Sequence, residues 1–182
     1  IWERSVADPR TAGMGTTVTA ALVDAAAGTV AIGHVGDSRA YLLRDGELDQ
    51  LTTDHSLVAE LVESGVLTPE EAERHPQRSA ITRALGTEET VEVESFTVAA
   101  KSGDVFLLCS DGLSTMLDDT DITSAIAQAG DDLEKAGDAL IAAANARGGE
   151  DNVTVVLFEL LAEDAPLKTT PKPNVSSARL RS

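Results

Sequence analysis

Three aspartates stand where an apolar run meets a glycine-marked loop: Asp37 in Val35-Gly36-Asp37-Ser38-Arg39, Asp111 in Cys109-Ser110-Asp111-Gly112, and Asp151 in Gly149-Glu150-Asp151-Asn152-Val153. Carboxylates on rigid strand ends can converge on a hard cation, since Mg²⁺ and Mn²⁺ prefer oxygen ligands and retain several waters. Clustered without a cation, they repel one another and their pKa values rise. Two ions sharing a water would lower its pKa and present hydroxide for in-line attack on phosphorus. No rival chemistry is visible. The histidines His34, His55 and His75 lie in unrelated contexts, without a Ser-His-Asp or Cys-His arrangement, and no glycine-rich phosphate loop of Walker or dinucleotide type occurs. Each residue also has a plain structural role open to it. Asp-Gly pairs mark ordinary turns, His34 reads as a satisfied strand residue, and His55 as part of a helix start. His75, beside Pro76 and two arginines, is the histidine best placed for exposure.

The elements that must position these residues follow from periodicity. Strands are expected over residues 16–23, 29–35, 39–44 and 47–52, with turns at Ala27-Gly28 and Asp45-Gly46, giving an antiparallel meander. Residues 56–63 carry Leu57, Val58, Leu61 and Val62 on one helical stripe, and Thr68-Pro69-Glu70-Glu71 is a capped helix start. A basic patch, Arg74-His75-Pro76-Gln77-Arg78, and a short helix over 81–85 come next. Strands return at 91–98 and 104–110, then helices at 119–129 and 132–147. A last apolar strand, 153–161, is expected at the centre of its sheet.

At 182 residues, 42% of them hydrophobic, the chain can bury a real core, and with 3% aromatics that core must be aliphatic. The net charge is −17, from 31 acidic and 14 basic residues, which argues against nucleic acid and anionic lipid as partners. A single cysteine, Cys109, excludes an internal disulfide and points to a reducing compartment, hence a cytoplasmic protein; within its apolar run it reads as a buried structural thiol. There is no membrane segment and no signal peptide at the amino end.

Taken in order, Gly13-Met14-Gly15-Thr16-Thr17, Val35-Gly36-Asp37-Ser38-Arg39-Ala40-Tyr41, Ser110-Asp111-Gly112-Leu113 and Gly149-Glu150-Asp151-Asn152-Val153-Thr154 resemble the PPM family, the metal-dependent protein serine/threonine phosphatases of the 2C type. The resemblance covers about residues 13–161 and is nearest to the bacterial branch that opposes Hanks-type kinases; His75-Pro76-Gln77-Arg78-Ser79 followed by Arg83-Ala84-Leu85-Gly86 is similar to that branch too. It implies an α+β fold, an αββα sandwich of two antiparallel sheets flanked by helices. It implies that Asp111 and Asp151 ligate two catalytic Mn²⁺ or Mg²⁺ ions, and that Asp37 joins Asp111 at a third, with Ser79 contributing. Residues 52–83 would be a flap whose Arg74, His75 and Arg78 meet the substrate. The chain departs from the family in one respect: residues 1–15 hold no match to the Asp-Gly-rich motif whose aspartate bridges the catalytic metals. The expectation is therefore an N-terminally truncated phosphatase domain over residues 1–162, its opening strands missing, and a Pro/Ser/Thr-containing tail over 163–182.

The function so implied is hydrolysis of phosphoserine and phosphothreonine in proteins by a metal-activated water, with phosphorylated proteins and Ser/Thr kinases as partners and this chain alone impaired. The alternative is a non-catalytic metal-binding or interaction module on a phosphatase-like scaffold. Anti-sigma-factor antagonists are a further substrate class that the same chemistry would serve.

Overall fold

A computed structural model describes residues 1–161; the tail expected over 163–182 lies outside the described residues. Seven strands form two antiparallel sheets. β1 (Val18–Asp24), β2 (Thr29–Val35) and β5 (Glu94–Ala99) make one, in the order β1-β2-β5. β3 (Arg39–Arg44), β4 (Glu47–Gln50), β6 (Val105–Cys109) and β7 (Val155–Glu159) make the other, in the order β4-β3-β6-β7. The helices are α1 (Trp2–Ala7), α2 (Leu57–Glu63), α3 (Pro69–Glu73), α4 (Asp111–Ser114), α5 (Asp119–Ala129) and α6 (Leu133–Ala146).

Side-chain alternation along β3 and β6 explains the layering, because successive strand residues point to opposite faces. Ala40, Leu42, Phe106 and Leu108 face the first sheet and meet Val30, Ile32, Phe96 and Val98. Tyr41, Leu107 and Cys109 face the other way, toward Ile122 and Ile126 of α5 and Ala136, Leu140 and Ala144 of α6. Both central strands are thus apolar on both faces. Phe106 stacks on the partly buried Phe158 between the sheets, with ring centroids 5.0 Å apart, and a fully buried side chain such as Phe106 contributes about 1.5–3 kcal/mol. Burial pushes the Cys109 thiol up to about 12, as befits a structural cysteine.

Local signals set the helix starts. Thr68 and Glu71 close the capping box of α3, and Asp118 and Asp121 close that of α5. Asp132 caps α6 by accepting from the Lys135 amide. No helix among the described residues is long and apolar enough to cross a membrane.

Three expectations need correction. The meander is two hairpins in different sheets: β1 pairs with β2 and β3 with β4, while β2 turns away to β5 and β3 to β6. Residues 81–85 are not helical. Their backbone groups are taken from outside, Thr82 N–H donating to His55 O at 2.8 Å and Leu85 exchanging two hydrogen bonds with Thr16, so no i→i+4 ladder can form. And β7 is an edge strand among the described residues, not a central one. It is apolar because Val155 and Leu157 pack toward the helices while Phe158 and Leu160 pack between the sheets. Exposed apolar residues remain at the sheet margins, Leu22 at 74% and Val156 at 52%.

Candidate metal centre

Asp37 sits where the chain leaves the first sheet for the second. Gly36 makes this passage with φ of 114°, and a Cβ there would lie 2.3 Å from Thr17 Cγ2, so only glycine fits. Beyond Asp37, Ser38 is held on both sides of its backbone unit: its hydroxyl is 2.9 Å from that of Thr17, and its carbonyl accepts from Thr19 Oγ1 at 2.6 Å. Asp37 is consequently aimed by a fixed turn.

Asp111 begins α4, directly beyond β6. Its neighbour Gly112 is in contact with the Asn152 carbonyl, which would lie 2.4 Å from any Cβ at that position. Ser110 completes the joint: its hydroxyl donates to Asn152 O at 3.0 Å and accepts from Thr154 N–H at 3.1 Å, while its own N–H donates to Thr154 O at 3.1 Å. The loop bearing Asp151 is thereby docked on the loop bearing Asp111. Asp151 itself is exposed, its Oδ1 accepting from the Asn152 N–H at 2.6 Å.

An open groove of about 1470 Å³ runs between these loops and the segment from α2 to Ser79. Asp37, Asp111, Ser79, Arg74 and Arg78 all line it; Asp151 and His75 do not. His75 is half-buried and its Nδ1 accepts from Gln77 N–H at 3.2 Å, closing its own turn. Arg78 faces Glu150 across 3.8 Å, both exposed, a contact of little energy. Half-buried Asp37 is held above the usual carboxylate range, first by burial and next by the negative charge of Asp111, against its own backbone hydrogen bond and Arg39. The two carboxylates therefore sense each other across the groove.

Two features escaped the sequence. Arg39 clasps Asp54 through Nε at 2.9 Å and Nη2 at 2.8 Å, and its Nη1 donates to Tyr41 OH at 3.0 Å. Burial alone would pull this guanidinium down, but Asp54 outweighs it and keeps the group charged beside Asp37. The arginine stood in the quoted Gly-Asp-Ser-Arg motif; its partner, 15 residues on, carried no signal. Second, His34 and His55 are not in unrelated contexts. Their rings lie 4.7 Å apart, and with Glu94 their ligating atoms fall within 4.8 Å of one another. Only the pairing of His34 with Glu94 across β2 and β5 reveals this.

Residues 3–152 match the sequence profile of the family described as "Protein phosphatase 2C", and the chain belongs to that family. It is 48% identical over 147 residues to the serine/threonine phosphatase stp of Listeria welshimeri, a match covering 81% of this chain and 57% of that protein. To the serine/threonine protein phosphatase PstP of Mycobacterium tuberculosis it is 46% identical over 157 residues, 86% of this chain and 30% of the relative. Its fold superposes on the crystal structure of the M. tuberculosis phosphatase PstP/Ppp with a TM-score of 0.81 at 45% identity, covering 88% of this chain and 66% of that one. A PstP catalytic domain in complex with 2 manganese ions gives a TM-score of 0.78 at 41% identity, over 88% of this chain and 65% of that one. The chain thus spans about half the length of the Listeria relative and about a third of the mycobacterial one.

Proposed function

We propose that the chain, with residues 1–162 as its working unit, acts in the metal-dependent hydrolysis of phosphoserine and phosphothreonine in proteins, opposing protein kinases, with Asp37, Asp111, Asp151 and Ser79 as cation ligands. The observation that carries this reading is the family match over residues 3–152 combined with Asp37 and Asp111 facing one groove. The donor set fits a hard divalent cation, since every member is an oxygen. A cation would also relieve the repulsion that raises Asp37. The manganese ions of the PstP structure support Mn²⁺ as the first metal to try. When bound, such ions supply Lewis acidity toward phosphate and an activated water.

The chain's own residues account for the rest. The Gly36 turn and the Ser110–Asn152 joint support this reading by fixing the backbone from which Asp37, Asp111 and Asp151 project. Arg74 and Arg78 line the groove and are the donors for the phosphoryl oxygens, a planar fork suited to that group. Arg39, kept charged by Asp54, lessens the crowding of negative charge around Asp37. Impaired as it stands for want of a match to the metal-bridging Asp-Gly motif, the chain should hydrolyse a phosphothreonine peptide only weakly with Mn²⁺ present, and Asp111→Asn should abolish what turnover remains. A form of the protein that carries that motif and binds Mn²⁺ yet leaves the peptide intact would favour the non-catalytic module.

A further inference from the structure

His55 is buried, at 7% exposure, between the Asp37 turn and the segment that follows Ser79. It engages both backbone groups of Gly36. Its N–H donates to Gly36 O at 2.8 Å, and its ring Nδ1 accepts from Gly36 N–H at 3.0 Å. On the other side its carbonyl accepts from Thr82 N–H at 2.8 Å, and Leu57 N–H donates to Ala80 O at 2.9 Å, so residues 55–57 run alongside 80–82. The ring's Nε2 lies 3.3 Å from Glu94 Oε2 and 3.0 Å from Arg83 Nη1.

Nδ1 accepts from the Gly36 amide, so it carries no proton. Nε2 lies between Glu94 Oε2 and the Arg83 guanidinium, whose N–H is directed at it. Although His34, His55 and Glu94 are metal-ligand types, their donors are already engaged. Nδ1 of His55 serves Gly36, its Nε2 faces Arg83, and the nitrogens of His34 lie against Thr19 Oγ1 at 2.9 Å and Thr53 O at 3.2 Å. The cluster is a hydrogen-bonded clamp, not an ion cage.

We propose that His55 is a positioning residue whose ring locks the Gly36–Asp37 turn in its cation-ready form, while its backbone joins that turn to the segment that follows Ser79. Residues flanking two candidate ligands thus meet at one position, though the ligands themselves are 42 positions apart in the chain. The inference rests on the metal-dependent reading above.

The test is Mn²⁺ titration of the chain, followed by electron paramagnetic resonance, together with hydrogen exchange at the Gly36 amide. His55→Leu should weaken Mn²⁺ binding about tenfold, the scale typical of residues that orient a metal ligand, and should deprotect the Gly36 amide. His55→Asn places an acceptor where Nδ1 was and should restore both. His55→Gln instead keeps a polar atom near Nε2 and should behave like His55→Leu, which decides the matter even if the leucine variant fails to fold. In an Asp37→Asn background, His55→Leu should cause no further loss. Unchanged Mn²⁺ affinity in His55→Leu, an equal loss in the Asp37→Asn background, or a better rescue by Gln than by Asn would overturn the inference. A wild-type chain that takes up no Mn²⁺ would remove the metal-dependent reading, and this proposal with it.

Discussion

Two aspartates of this chain are driven in opposite directions, and the difference separates a structural acid from a candidate ligand. Asp104 is buried and accepts from Arg44 through Nε at 2.8 Å and Nη2 at 2.5 Å and from the Lys101 N–H at 2.7 Å. The Arg44 hydrogen bonds hold its carboxyl below the usual range despite burial. Asp37 has no such clasp, since its neighbour Arg39 is committed to Asp54, and it is raised by burial and by Asp111. An acid with its own arginine is already neutralised; an acid raised beside another acid would gain from a cation. Asp104→Asn keeps the shape but leaves the guanidinium facing an amide, and should destabilise the fold by about 2 kcal/mol at pH 7. Because the folded-state pKa of Asp104 is lowered, its stabilisation is complete above the ordinary carboxylate range and is lost as pH falls through the folded value. Urea unfolding should therefore show the gap between wild type and Asp104→Asn closing as pH drops from 7 to below the ordinary carboxylate range. A gap of constant size would mean that the charge of Asp104 is not its source.

Among the elements, the joint between β6–α4 and the loop before β7 decides whether Asp111 and Asp151 stay together. Gly112 presses on backbone, the Asn152 carbonyl, and no side chain can swing aside to make room. Gly112→Ala should cost about 1–3 kcal/mol by overpacking. It should also weaken Mn²⁺ binding, which Asp104→Asn, remote from the joint, should leave alone; calorimetric titration of the two variants checks this. Glycine beside Asp111 was visible in the chain, but the Asn152 carbonyl against it was not, because 39 residues and two helices intervene. The same divide runs through the whole fold. β2, β3 and α5 lie over the residues expected from apolar periodicity and an Asp-Gly turn, all local signals. The allocation of β2 and β3 to different sheets was not, since a turn at Gly36 that changes sheets looks in sequence like one that continues a meander. Residues 81–85 read as a short helix because their partners, Thr16 and His55, are far away in the chain. The edge position of β7 was hidden by the same apolar composition that a central strand would need. Of the candidate residues, Asp37 and Asp111 line the groove and Asp151 does not, while the supports of the Asp37 turn, Thr17, Asp54 and His55, carried no local signal of that role.

At the scale of the whole molecule, the net charge of −17 works against a phosphorylated substrate, and the arginines lining the groove offset it locally. Even there the arginines are partly engaged: Arg39 by Asp54, Arg147 by Asp121, and Arg78 near Glu150. Bound cations and the flanking Arg74 and Arg78 would attract the phosphoryl group, while the residues on either side of it in a peptide would meet an acidic surface. Peptides with lysines flanking the phosphothreonine should therefore be hydrolysed with a higher kcat/KM than those with glutamates, through KM and not kcat, because the charges act on encounter and not on the reacting centre. Screening sets the size of the effect. The Debye length falls from about 30 Å at 0.01 M salt to about 3 Å at 1 M, so the preference should be several-fold at low salt and nearly vanish at high salt. A salt-independent preference for lysine would point to direct side-chain contacts in the groove. A preference for glutamate would show that the arginines at its rim, not the overall charge, control encounter.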